Sequence, residues 1–206
     1  MFYNEFLQSI VNKYVVIFVL KKFISLPVLK KTALKTEHID KHYVDLSKEE
    51  LIDFRNGGKV VVYNAIDRNT EDFRRILNCA MFFARQGKQV VMPPKLDVPY
   101  KNPAYDQIFG SLRGTPYYGK CPDFLVDGVW YEHEGFSHVN PKSNFSNMLR
   151  RGLSQSERII IEKCSLSERI MRKSIRDRMA SGVRIKEIWI HDGEMVTLFF
   201  KNTEGQ

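Results

Sequence analysis

Apolar residues recur at helical spacing between Asn69 and Gly87. They occupy positions i, i+3, i+4, i+7, i+8 and i+11 of that segment, namely Phe73, Ile76, Leu77, Ala80, Met81 and Ala84. Asn69 or Thr70 can cap the amino end, and the acidic residues Glu71 and Asp72 suit the positive end of the helix dipole. The pattern predicts an amphipathic helix that Gly87 ends.

Short apolar runs elsewhere along the chain predict β-strands. Single strands are expected at 59–63, 89–92 and 158–162. Two hairpins are expected around the turns Asp127-Gly128 and Asp192-Gly193, because Asp-Gly is a favoured two-residue hairpin turn. The first hairpin joins 124–126 to 129–134, and the second joins 186–190 to 194–201.

Further helices are predicted at 48–54 with Ser47 as the N-cap, at 144–154, and at 167–181. The segment 97–120 is rich in Pro, Gly and Tyr and predicts a long ordered loop with one helical turn near 105–112. Interleaved helices and strands predict an α/β fold with a mixed sheet flanked by helices. We expect residues 1–56 to form an amino-terminal helical arm and linker, and residues 57–206 to form the main domain.

The amino-terminal arm is basic and apolar. Its apolar runs, 14–20 and 23–29, are broken and flanked by lysines, and neither approaches the roughly 20 apolar residues needed to span a bilayer. No transmembrane segment is therefore expected. A helix of this kind can lie on a membrane surface, but packing against the domain, a second copy of the chain or a protein partner is favoured.

The chain of 206 residues carries 32 Lys and Arg against 24 Asp and Glu, a formal net charge of +8. This excess favours polyanionic partners such as nucleic acid or anionic lipid. Cys79, Cys121 and Cys164 form no CxxC pair, which argues against a structural zinc site and for a reducing, cytoplasmic compartment. Cys79 lies on the apolar side of the predicted helix and is expected in the core.

The first hairpin carries a cluster of acids. Asp123 and Glu132 are expected on paired strands, and Glu134 shares a strand face with Glu132, whereas His133 points to the opposite face. Converging carboxylates repel one another unless they share protons or bind a cation. Oxygen ligands suit Mg²⁺ or Mn²⁺, so we expect a divalent-metal site at Asp123 and Glu132.

The segment from Asn69 to Glu162 resembles the PD-(D/E)xK nuclease superfamily. More narrowly, it is similar to the carboxy-terminal tRNA-nuclease toxin domains of contact-dependent growth inhibition proteins. Pro122-Asp123 and Glu132 match the motif, Gln155 matches a polar position often seen after it, and Glu134 replaces the motif lysine. The resemblance implies a restriction-endonuclease-like fold and a metal-dependent hydrolase of phosphodiester bonds. Some restriction endonucleases also carry Glu at this place, so Glu134 is expected to act in catalysis.

Basic residues after the hairpin are candidate nucleic-acid contacts. Arg150 and Arg151 are the main candidates, and Lys142 is a weaker one, because cationic side chains suit phosphate. Gln155 joins them through the resemblance. The basic helix at 167–181 is as consistent with a solvated face as with a binding surface.

Three functions remain open at this point. The first is a metal-dependent nuclease that uses Asp123, Glu132 and Glu134. The second is a catalytically silent module that binds nucleic acid or a protein. The third is a metal-free ribonuclease with His133 and His138 as acid and base. It is disfavoured because His133 is expected to point away from Glu132 and Glu134. The sequence does not separate DNA from RNA as the substrate, nor a toxin from a defence or mobile-element protein.

Overall fold

The structure, a computed structural model, describes residues 44–97, 99, 101–135, 141–193 and 195–203, and in residues 141–144 it describes the backbone alone. Eight strands form one sheet in which each strand pairs with its neighbours in sequence. The strands are β1 Lys48–Asp53, β2 Lys59–Tyr63, β3 Gln89–Met92, β4 Phe124–Val126, β5 Val129–Glu134, β6 Arg158–Glu162, β7 Glu187–His191 and β8 Val196–Lys201. The helices are α1 Glu71–Ala84, α2 Tyr105–Phe109, α3 Pro141–Leu153 and α4 Glu168–Ala180, and a 3₁₀ turn follows α2 at Gly110–Leu112.

The sheet is mixed. The parallel pairs are β2–β3, β5–β6 and β6–β7, and each is connected by a long helix, α1, α3 and α4 in turn. The remaining neighbours, β1–β2, β3–β4, β4–β5 and β7–β8, are antiparallel. The predicted α/β class and the mixed sheet flanked by helices are confirmed.

The segment predicted as a helix at 48–54 is instead strand β1. Its residues are good helix formers, but they pair with β2 along the whole hairpin, and Leu51 and Ile52 pack on the core. Tertiary pairing overrides a weak local preference here. Ser47 caps no helix, because its hydroxyl donates to Asp45 at 2.6 Å and accepts from Asn64 at 2.8 Å.

Helix α1 and the central strands form as predicted. The Thr70 hydroxyl accepts a hydrogen bond from the backbone N–H of Phe73, which makes Thr70 the cap of α1. Asp127 and Gly128 adopt positive φ angles of 45° and 82°, as a two-residue turn with both central residues left-handed requires. The turn between β4 and β5 therefore fixes the register that brings the acidic residues together.

The sheet is buried on both faces. On one face, α1 covers a cluster that includes Cys79, Phe83, Phe124 and Ile160. On the other face, residues of α3 and α4 pack against neighbours of Ile160 on the same strand, Ile159 and Ile161. Strand β6 is therefore apolar on both sides, as expected for a central strand between helices.

The predicted loop 97–120 contains the expected helical turn, now α2 and the 3₁₀ segment after it. Tyr105 is fully buried, and its hydroxyl donates to the backbone oxygen of Lys120 at 2.5 Å. Trp130 of β5 donates its ring N–H to Ser111 at 2.9 Å. These contacts hold the loop against the hairpin just before Asp123.

In the described part of the chain, no helix is both long and apolar enough to cross a membrane. Residues 1–43 lie outside the described residues. The predicted arm, and its role in oligomers or partner binding, remain predictions.

Candidate active site

The β4–β5 hairpin brings Asp123 opposite Glu132. Phe124 pairs with Tyr131, so Asp123, the residue before β4, lies opposite Glu132, the residue that follows Tyr131 within β5. The turn is held from β3, because the carboxylate of Asp127 accepts the Gln89 N–H at 2.8 Å and pairs with Lys88 at 2.9 Å. The acidic pair therefore sits at the end of a firmly registered hairpin.

Asp123 is buried and has two firm partners. Its Oδ2 accepts the backbone N–H of His133 at 2.8 Å. Its Oδ1 lies 2.7 Å from the ammonium of Lys95. Both contacts orient the carboxylate.

Glu132 is the least satisfied of the three acids. It is buried, and within the described residues its Oε2 has no hydrogen-bond donor. The nearest cation, Lys95, is 3.9 Å from that oxygen. Burial, followed by the charge of Asp123, raises the pKa of Glu132 well above its usual value, although Lys95 acts to lower it. The site therefore contains a carboxylate that is costly to ionise without a further cation.

Glu134 is drawn toward helix α3. Arg151 donates to its Oε2 from Nε at 2.9 Å and from Nη2 at 2.6 Å. Burial raises the pKa of Glu134, while the hydrogen bonds and charge of Arg151 act to lower it. Arg151 also donates to the backbone oxygen of Gly135 at 2.9 Å, which fixes its guanidinium over the end of β5.

Lys95 is a site residue that the sequence analysis missed. It follows Pro93-Pro94 at the end of β3, the strand next to β4, and its ammonium also donates to the backbone oxygen of Cys121 at 2.7 Å. Burial near the ammonium acts to lower the pKa of Lys95, but the charges of Asp123 and Glu132 outweigh it and raise the pKa. The side chain is 60% exposed, so the ion pair stays in contact with solvent.

These side chains line an open cavity of about 660 Å³ between the start of α1, the ends of β3 and β5, and α3. Asp67 and Asp72 add two carboxylates to its wall. The charged lining comprises five acids and three strong bases, namely Asp67, Asp72, Asp123, Glu132, Glu134, Lys95, Arg75 and Arg151. The cavity is thus acidic, in contrast to the chain as a whole.

The other predicted contacts are distributed differently. Arg151 lines the cavity, whereas Arg150 is exposed on α3 and lies outside the lining. Gln155 also lies outside it, and its Oε1 is buried without a hydrogen-bond partner in the described part of the chain. The side chain of Lys142, and His138 altogether, fall outside the described residues.

His133 faces away from Glu132 and Glu134, as predicted. Its Nε2 lies 2.9 Å from Oε1 of Glu162, and His191 Nδ1 lies 2.8 Å from the same oxygen. Burial acts to raise the pKa of Glu162, but hydrogen bonds from the two histidines outweigh it and lower the pKa to about 2. His133 also contributes to the cavity lining, but its Nε2 is hydrogen-bonded to Glu162 on the other face of the sheet, which disfavours its use as a general base for the cavity.

A distance criterion for metal-ligating side chains distinguishes the carboxylates from the histidine cluster. Among the described residues, the group of three metal-ligating side chains whose donor atoms all lie within 4.8 Å is Cys79, His133 and His191. Asp123, Glu132 and Glu134 do not form such a group. Lys95 lies 2.7 Å from Asp123 and 3.9 Å from Glu132, whereas Glu134 pairs with Arg151.

Comparison of the chain with models of protein families, with curated proteins and with solved structures found no match.

Proposed function

We propose that this chain is a metal-dependent nuclease that hydrolyses phosphodiester bonds of RNA, such as tRNA, or of DNA. The observation that carries the proposal is the orphan Oε2 of Glu132, a buried carboxylate oxygen beside Asp123 in the wall of an open cavity. An atom of this kind is costly to bury unless a cation or donor meets it. A divalent cation held by Asp123 and Glu132 would satisfy it.

The donor set fits Mg²⁺ or Mn²⁺. Both residues offer oxygen, and Mg²⁺ is commonly held by one or two carboxylates together with waters and substrate phosphates. A cavity of about 660 Å³ leaves room for such additional ligands. Lys95 already lies 2.7 Å from Asp123 and 3.9 Å from Glu132, so a cation would share this position with the ammonium or move it aside.

When bound, the cation would polarise a phosphodiester and increase the acidity of nearby water. The chain's own residues supply the remaining roles. Glu134 accepts the proton of an attacking water, and Arg151 holds its carboxylate in place. Lys95 offsets negative charge on the phosphate, the contribution that the motif lysine would otherwise make.

The order of elements supports the resemblance to the PD-(D/E)xK superfamily and a restriction-endonuclease-like fold. A long helix, a strand, the acidic hairpin, a basic helix and a further strand follow one another from α1 to β6. In this interpretation Glu134 replaces the motif lysine in sequence, whereas Lys95 replaces its positive charge in space.

The second candidate function is a catalytically silent module that binds nucleic acid or a protein. One observation favours it: Asp123 pairs with Lys95 and Glu134 with Arg151, so two of the three acids have a cationic partner without any metal. An inactive descendant of a nuclease would retain such pairs for stability.

A cleavage assay separates the two candidates. Purified protein is incubated with total tRNA, plasmid DNA and single-stranded DNA in Mg²⁺, Mn²⁺ or chelator, beside the variants Asp123→Asn and Asp127→Asn. Asp127 lies in the same hairpin, but it is in the turn and outside the cavity, which makes it a matched control. Metal-dependent cleavage that Asp123→Asn abolishes and Asp127→Asn retains is expected. No cleavage with any metal would leave the binding module.

Glu134→Gln tests the proposed base. The substitution keeps the size of the side chain and removes its charge, so folding and Mn²⁺ affinity should change little. Cleavage should fall by about 10²-fold or more, the usual scale for losing a general base. Cleavage at the wild-type rate would exclude this role for Glu134.

A further inference from the structure

A second group of ligand-forming side chains lies on the face of the sheet opposite to the carboxylates. Cys79 comes from α1, His133 from β5 and His191 from β7. The thiol sulfur and one ring nitrogen of each histidine all lie within 4.8 Å of one another. All three residues are buried, with exposed fractions of 0%, 8% and 2%.

Glu162 of β6 fixes the orientation of both histidines. Its Oε1 lies 2.9 Å from Nε2 of His133 and 2.8 Å from Nδ1 of His191, so this one oxygen accepts from both rings. In a neutral imidazole, the nitrogen that does not donate keeps a lone pair. Nδ1 of His133 and Nε2 of His191 are therefore the nitrogens available as ligands.

This arrangement is typical of metal centres in proteins. A histidine that binds a metal almost always donates its other ring N–H to a carboxylate or carbonyl, which sets the tautomer and the ring direction. One sulfur and two imidazole nitrogens are a ligand set that Zn²⁺ and related transition metals accept and that Mg²⁺ does not prefer. These three side chains would leave a fourth coordination position for another ligand.

We propose that Cys79, His133 and His191 form a buried site for Zn²⁺ or a similar transition-metal ion, with Glu162 as the carboxylate that orients both imidazoles. On binding, the sulfur–metal bond replaces the S–H bond of Cys79, and the proton leaves to solvent. The site is separate from the proposed Mg²⁺ or Mn²⁺ position, because His133 faces away from Glu132 and Glu134 along β5.

The consequence of such an ion is structural. It would tie α1, β5 and β7 together through one centre. The backbone N–H of His133 donates to Asp123 at 2.8 Å, so fixing His133 also fixes a partner of the carboxylate cluster. A metal here therefore supports the hairpin that carries the acids, whatever reaction those acids perform.

The alternative is a metal-free hydrogen-bond network. Glu162 already accepts hydrogen bonds from both histidines, and Cys79 of α1 lies in the apolar core. A buried thiol next to this pair needs no ion to be stable. The ability of the folded protein to bind a soft divalent metal through Cys79 separates the two interpretations.

Cobalt(II) is the probe, because a thiolate ligand gives it a strong near-ultraviolet charge-transfer band. The full chain is titrated with CoCl₂, beside Cys79→Ser, the control Cys164→Ser and the carboxylate variant Asp123→Asn. A saturable thiolate band is expected in the wild type, in Cys164→Ser and in Asp123→Asn, and it should be absent from Cys79→Ser. Zn²⁺ should displace the cobalt, and Mg²⁺ should not.

Two results would overturn the proposal. The first is a folded wild-type chain, checked by circular dichroism, that shows no thiolate band with cobalt. The second is a band that survives in Cys79→Ser. Absence of the band from the folded wild type overturns the proposal even if Cys79→Ser does not fold. The cobalt band reports on Cys79 whether or not the chain cleaves nucleic acid, so failure of the zinc proposal and failure of the nuclease proposal are measured separately.

Discussion

Glu132 lies between two other carboxylates, Asp123 and Glu134, whose charges both act to raise its pKa. Its own burial contributes most to the shift. Residues that are arranged for chemistry are often unfavourable for stability, because the site must contain charge that the folded chain alone does not neutralise. Among the described residues, Glu132 is a buried carboxylate whose pKa is raised well above its usual value, which makes it a candidate for such a conflict.

Glu132→Gln should therefore stabilise the metal-free protein at neutral pH, by about 0.5–2 kcal/mol, the usual gain of a single stabilising substitution. A raised folded-state pKa means that the contribution of Glu132 to stability is full below the unfolded pKa of about 4.3 and is lost as pH rises through the folded pKa. The difference between variant and wild type should consequently shrink near pH 4. Urea unfolding in chelator at the two pH values measures it.

The control for this measurement is Glu50→Gln. Glu50 forms an exposed ion pair with Lys59 at 3.1 Å, and an exposed pair of this kind contributes little. Its substitution should change the free energy of unfolding by less than about 0.5 kcal/mol at either pH. A wild type more stable than Glu132→Gln at neutral pH in chelator would contradict the assignment of Glu132 as an unsatisfied charge.

Lys95 leads to a second prediction at the scale of single residues. Its ammonium lies 2.7 Å from Asp123 and 3.9 Å from Glu132, so under the nuclease proposal it would compete with a cation held by these two residues. Lys95→Met removes this competitor, so Mn²⁺ should bind as tightly as in the wild type or more tightly. Cleavage should nevertheless fall, because the charge that offsets the phosphate is lost. Calorimetry with Mn²⁺ and the cleavage assay measure the two effects separately.

Lys88→Met is the matched control for Lys95→Met. Lys88 also pairs with an aspartate, Asp127, at 2.9 Å, but at the turn of the hairpin and outside the cavity lining. It should change neither Mn²⁺ affinity nor cleavage. Weaker Mn²⁺ binding by Lys95→Met would mean that Lys95 organises the carboxylates instead of competing with a cation.

Two features of the structure, the contact of Lys95 with Asp123 and the cluster of Cys79 with two histidines, could not be predicted from the sequence. The physical reason is the same for both. Lys95 reaches Asp123 because β3 pairs with β4, and Cys79 reaches His133 and His191 because α1 covers β5 to β7. Both contacts depend on strand order and on helix placement, which local patterns leave open. The acids of the hairpin were predictable because a two-residue turn alone sets their register.

At the scale of elements, local patterns predicted most helices and strands but not β1. The helical spacing of apolar residues predicted α1 correctly, because the apolar side of this helix faces one continuous core. Segment 48–53 has no such signal: its six residues include four charged ones, and pairing with β2 decides its conformation. Edge strands of this kind depend on a neighbour that the local sequence does not contain.

Helix α3 gives a prediction from two adjacent arginines. Arg151 points to Glu134, while Arg150, one residue earlier, is exposed outside the cavity. The charge of Arg151 acts to lower the pKa of Glu134, so Arg151→Ala should raise that pKa further. If Glu134 is the base, the acidic side of the pH–rate profile should move to higher pH, and cleavage at neutral pH should fall by up to about 10²-fold.

Arg150→Ala is the internal control, because it removes the same charge from the same helix without touching Glu134. It should leave the pH–rate profile in place. A matched shift in both variants would show a general effect of charge on substrate binding. No shift in Arg151→Ala would remove the contact with Glu134 from the mechanism.

At the scale of the whole molecule, the net charge of the chain is positive, whereas the wall of the cavity has more acidic than basic residues. The chain carries a formal net charge of +8, but the charged cavity wall has five acids and three strong bases. Under the nuclease proposal, a polyanion would be attracted by exposed cations such as Arg169 and Arg176 of α4 and repelled by the carboxylates of the cavity until a cation is bound. Binding and cleavage should then be separable properties.

The double variant Asp123→Asn/Glu132→Gln tests this separation. It removes two carboxyl groups from the cavity, so it should bind tRNA at least as tightly as the wild type while losing metal-dependent cleavage. The dependence of log K on log salt should keep its wild-type slope, because the slope counts phosphate contacts that lie outside the two carboxylates. Filter binding over a range of salt concentrations, in chelator, measures affinity and slope together.

A variant that loses binding would place the nucleic acid on the carboxylates themselves. If the wild type and the variant bind alike, and the wild type cleaves nothing with any metal, the paired charges at Asp123 and Glu134 belong to a binding module.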